Sequence, residues 1–207
     1  MSETKATFAD FWHYNKFKII IVAAFIAFVA FALSQCSYGT QVDLGILHVS
    51  EVNGVDGTAF VDMLQSEIVL ATNQEKPNIE FVSVYVPTDP RFVAETGALE
   101  KLQLELARGN STLFVLDEET IYSYAGEELF HDITSIADSY GIEEDDRYIG
   151  PNGETIAISV DGNAFLEKCS LENKSLYLAI RAHDEDDASR YQNAYEAAKY
   201  ILKGELK

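Results

Sequence analysis

The side chains of this sequence that could do chemistry are four histidines, two cysteines and a large surplus of carboxylates. His13, His48, His131 and His183 share no metal-ligand spacing such as H-E-x-x-H. His131 beside Asp132 has the composition of a base and its orienter, but sequence neighbours seldom face each other, and a surface turn is the simpler reading. No serine sits in G-x-S-x-G, and Asn53-Gly54-Val55-Asp56-Gly57 lacks both the spacing and the lysine of a phosphate loop. Two cysteines, Cys36 and Cys169, make neither a disulfide framework nor a cysteine-based zinc site. The acidic runs Glu143-Glu144-Asp145-Asp146 and Asp184-Glu185-Asp186-Asp187 lack the alternating ligands, central glycine and terminal glutamate of a calcium loop. Asn110-Ser111-Thr112 and Asn173-Lys174-Ser175 match glycosylation triplets, which matter only in a eukaryotic secretory pathway. No catalytic constellation, metal or cofactor is expected, and the chain reads as non-enzymatic.

Charge narrows the partners. The 207 residues carry 15 Lys+Arg against 34 Asp+Glu, a net −19, which argues against nucleic acid as a partner because phosphate binding needs concentrated Lys and Arg. With Lys5, Lys16, Lys18, Glu3 and Asp10 set aside, 12 Lys and Arg stand against 32 Asp and Glu from Asp43 onward, a net −20. Such a field favours cationic ligands or partners.

The elements that must position these groups come next. From Ile19 to Val42 run 24 residues without a charge. About 20 apolar residues span a bilayer core, so a transmembrane helix is expected at residues 17–38. Phe11, Trp12, Tyr14 and Phe17 would form its aromatic belt, and Lys16 and Lys18 place the N-terminus in the cytoplasm. The expected organisation is a leader at 1–18, an anchor and linker at 19–41, and an extracytoplasmic domain at 42–207. Localisation is then single-pass in the cell membrane. A cleaved start is the alternative, and Leu33-Ser34-Gln35-Cys36 resembles a bacterial lipobox, which implies lipidation at Cys36.

In the outer domain, alternating and wholly apolar runs predict strands at 42–49, 79–86, 112–116, 147–149, 155–160 and 175–181. Helical spacing predicts helices at 58–73, 94–108, 119–125, 135–140 and 187–202. The strand–helix alternation implies an α/β fold: a mainly parallel central sheet with flanking helices, and an antiparallel edge hairpin around Asn152-Gly153.

Ala98 to Ile133 and Arg147 to Val160 resemble a stretch of bacterial extracellular solute-binding proteins. A leucine-bearing helix ends in a Gly-Asn turn, and a strand leads to an acidic residue. A helix follows, then Leu129-Phe130-His131-Asp132-Ile133-Thr134, then a glycine-containing hairpin. The resemblance implies a single anchored lobe of such a protein, a non-enzymatic binding or interaction module. Its partners would be the membrane and a small solute or neighbouring membrane protein. The alternatives are a structural subunit of a membrane or envelope assembly, and a surface hydrolase.

Ligands of open parallel sheets lie beyond the carboxyl ends of the strands, where strand order reverses. If the first strand lies between the second and third, three loops converge there. They bring Ser50, Glu51 and Asn53, then Asp89 and Arg91, then Asp117 and Glu118. Arg91 would either clamp a ligand carboxylate or pair with Asp89 or Glu95.

Overall fold

Every residue of the first strand, β1 (Leu44–Ser50), is buried. A central strand covered on both faces requires this, and its side chains serve two cores in alternation. Leu44 and Ile46 enter one core, Leu47 and Val49 the other. The computed structural model describes residues 12, 15–26, 28, 42–52, 54–67, 77–87, 89, 91–92, 97–108, 110–171, 175–183 and 188–204. They fall into two compact units, Met1–Gln41 and Val42–Lys207.

In the second unit β1 is followed by α1 (Thr58–Glu67), β2 (Ile79–Tyr85), α2 (Ala98–Arg108), β3 (Leu113–Asp117) and α3 (Glu118–Tyr124). Then come α4 (Thr134–Tyr140), a 3-10 turn (Glu144–Asp146), β4 (Arg147–Ile149), β5 (Thr155–Ser159), α5 (Ala164–Lys168), β6 (Leu176–Ile180) and α6 (Ala188–Lys203). The six strands form one sheet in the order β2-β1-β3-β6-β5-β4.

The first core lies between the sheet and α1, α4, α5 and α6. Phe60 of α1 is fully buried there against Phe81 and Phe165, with ring centroids 5.7 and 5.3 Å away. Truncating such a ring to alanine costs about 3–5 kcal/mol. Ala194, Ala197 and Ala198 let α6 approach closely, and Asn193 ties it to the start of β1 through Nδ2–H donated to the Asp43 carbonyl at 2.7 Å. The second core, on the opposite face, takes Leu102 and Leu106 from α2 and Ile121 from α3.

The sheet is mixed rather than mainly parallel. β1 runs parallel to β2 and β3, but β3–β6, β6–β5 and β5–β4 are antiparallel. β6 is the cause. Its Leu176, Leu178 and Ile180 fill the first core while Ala179 fills the second, so it is suited to the sheet interior, and it enters between β3 and β5.

The membrane anchor is also corrected. Among the described residues no helix is long and apolar enough to cross a membrane. Residues 15–26 and 28 are helical. Residues 29–41, including Cys36, lie outside the described residues. The single-pass topology, the extracytoplasmic placement of 42–207 and the membrane as a partner therefore lose their support.

Candidate functional site

The winding of the chain makes a crevice. From β1 the chain crosses one face through α1 to reach β2. It then crosses the opposite face through α2 and arrives at β3 on the other side of β1. The direction of winding thus reverses beside β1, and the carboxyl ends of β1 and β3 splay their loops apart.

Two clefts open at this end. One, of about 490 Å³, lies on the side of α5 and is bordered by Glu51, Asp117, Asn163, Leu166, Glu167 and Leu176. The other, of about 770 Å³, lies beside α2 and α3 and is bordered by Glu51, Asp117, Glu118, Leu99, Leu102 and Tyr124, with Ser175 also on its rim. Glu51 and Asp117 border both.

Local rules hold these carboxylates in place. Asp117 is the N-cap of α3, accepting the Thr120 N–H at 2.7 Å, and Glu118 follows in the first turn, where the helix dipole favours negative charge. Glu51 follows the last residue of β1 and is exposed. Ser50 is buried, and its hydroxyl oxygen accepts the Val52 N–H at 3.0 Å.

The other expected site residues are placed differently. Asn53 lies outside the described residues. Asp89 and Arg91 pair with each other at 2.7 Å in an exposed turn, and Arg91 borders neither cleft. Hydrogen bonds from Arg91 hold the Asp89 carboxyl below its ordinary range.

Comparison with protein families, curated proteins and solved structures finds no match for this chain. The solute-binding-protein resemblance is accordingly withdrawn. In the structure its Leu129–Thr134 step is a single antiparallel bridge, Phe130 to Arg181, running into the start of α4.

The histidines and the thiol stand apart from the clefts. His48 is buried on β1, and desolvation pushes its pKa down to about 4. His183 stacks between Tyr191, 3.7 Å away, and His131, 4.5 Å away. Burial lowers the pKa of His131, the charge of His183 adds to this, and Asp132 opposes it. Cys169 is buried with its sulfur 3.5 Å from that of Met63, and burial pushes its thiol up to about 11. Among the described residues no group of three or more His, Cys, Asp or Glu could hold a metal ion.

Sequence reasoning missed Asn163, Glu167, Tyr148 and Tyr177. Asn163 caps α5 by accepting from Phe165 N and Leu166 N at 2.9 and 3.1 Å, and an Asn after Asp-Gly was a legible cap signal. The tyrosines carried a fainter one. Tyr177 interrupts the apolar run of β6 at an alternate position, as a residue with a half-exposed face does.

Proposed function

We propose that residues 42–207 form a non-enzymatic receptor domain for a small organic cation, held at the carboxyl ends of β1 and β3 by Glu51, Asp117 and Glu118. Two clefts that share one pair of carboxylates carry this proposal. Each combines acidic groups with apolar wall residues, Leu166 and Leu176 in one, Leu99 and Leu102 in the other. That lining suits a ligand with a positive head and an apolar body. A net −20 over the domain raises the local concentration of such ligands and speeds their encounter.

Binding without catalysis is supported by the state of the reactive groups. The Ser50 hydroxyl is engaged by its own turn, and the Cys169 thiol is buried and hard to ionise. His48 lies inside the sheet rather than at a cleft.

Calorimetric titration of n-butylammonium into the full chain tests the proposal. Glu51→Gln and Asp117→Asn should each weaken binding several-fold without lowering thermal stability, because Asn caps a helix about as well as Asp. Equal affinity for wild type and both variants would contradict it.

A further inference from the structure

On the face of the sheet covered by α2 and α3, Tyr148 of β4 and Tyr177 of β6 meet at a right angle. Their ring centroids are 6.0 Å apart and their planes 89° apart. Strand register explains the corner. Tyr148 pairs with Ala157 and Tyr177 with Ser159 on the intervening β5, so two large rings stand over small side chains. Both rings are half-buried, each leaving surface to solvent.

The corner adjoins the larger cleft. Across the β3–β6 pair Tyr177 is opposite Leu116 and Leu176 is opposite Asp117, so the corner stands next to the carboxyl end of β3, where Asp117 and Glu118 border that cleft. The phenols of Tyr148 and Tyr177 are held above their ordinary pKa chiefly by burial. Glu118 then acts on both, Tyr122 on Tyr148, and Asp161 and Asp146 on Tyr177. Among the described residues no cationic side chain is among the charges acting on either phenol.

Building on the receptor reading, we propose that the Tyr148–Tyr177 corner, with Glu118 beside it, receives a methylated ammonium head group while the larger cleft takes the rest of the ligand. A quaternary ammonium has no N–H to donate. It spreads its charge over methyl groups, which aromatic faces and a nearby carboxylate satisfy without directed hydrogen bonds. A primary ammonium needs three acceptors, which two tyrosine faces do not supply.

The test uses the full chain, titrated at constant ionic strength with tetramethylammonium and, separately, n-butylammonium. Tetramethylammonium methyl protons should show nuclear Overhauser contacts to tyrosine ring protons in the wild type. Tyr148→Leu and Tyr177→Leu should each weaken tetramethylammonium about tenfold, the scale of one cation–π contact, while n-butylammonium changes less than twofold. Tyr148→Phe and Tyr177→Phe keep the ring and should stay near wild type. Absence of the Overhauser contacts, or equal weakening of both cations by the leucine variants, overturns the corner as the head-group site. Binding of n-butylammonium without tetramethylammonium overturns it too but leaves the receptor reading intact. If neither cation binds, both fail together.

Discussion

Across the parallel pair β1–β2, Nδ1 of His48 lies 3.1 Å from the Ser83 hydroxyl oxygen, and its Nε2 is buried without a hydrogen-bond partner. The ring stacks on Phe81 at 5.8 Å. Such a site accepts the neutral imidazole and resists the charged one.

Acid stability should follow from this. The unfolded chain takes up a proton at His48 near pH 6.5, the folded chain only near 4. Between those values the unfolded state binds more protons, so stability is full above about pH 6.5 and declines as the pH falls towards 4. The loss is on the order of 3 kcal/mol. Urea unfolding at pH 7 and pH 5 should show the decline, and His48→Leu should flatten it. An unchanged slope in His48→Leu would contradict the assignment.

The stacked pair at the far end of β6 makes a second prediction. An NMR titration should find His131 below the free-imidazole value. Asp132→Asn should lower it further, because the carboxylate is the group that favours the proton there, and Asn can still accept the Thr134 N–H. A pKa that rises in Asp132→Asn would refute the account.

How much of this was legible beforehand depends on distance along the chain. The alternation from β1 to α3 is legible in local periodicity, whereas the place of β1 between β2 and β3, which gathers Glu51, Asp117 and Glu118, enters the sequence reading only as a condition. The insertion of β6 between β3 and β5 is not, since a buried strand's own residues do not name its partner. The right angle between Tyr148 and Tyr177 depends on that same insertion. α5 is five residues long, too short for a helical period to show. Arg91 stood out by type alone, yet the nearest acid in its own turn satisfies it. The charge-free run at 19–42 matched a membrane span in composition, but among the described residues no helix is long and apolar enough to cross a membrane.

Asn163 joins α5 to α6, since its Nδ2–H is donated to the Ile201 carbonyl at 3.0 Å while its oxygen caps α5. Asn163→Ala removes the cap and leaves a buried carbonyl unpaired, and should cost about 2–3 kcal/mol in chemical denaturation. A change below about 0.5 kcal/mol would show that water replaces the amide.

Gly45 marks the closest approach of β1 to the segment leading into β3, where Thr112 N donates to its carbonyl at 2.8 Å. A Cβ at this position would collide with the Asn110 carbonyl, which is backbone and cannot swing away. Gly45→Ala should therefore destabilise the domain by about 2 kcal/mol or more, and a melting temperature equal to wild type would disprove the close approach.

Amide chemical-shift mapping during a titration with n-butylammonium addresses the cation site most directly. Shifts should concentrate at residues 50–52 and 117–120, the ends of β1 and β3 that carry the shared carboxylates, and should weaken as salt screens the attraction. Shifts confined to the opposite end of the sheet, around Asp43, Asn78 and His183, would contradict the placement of the site.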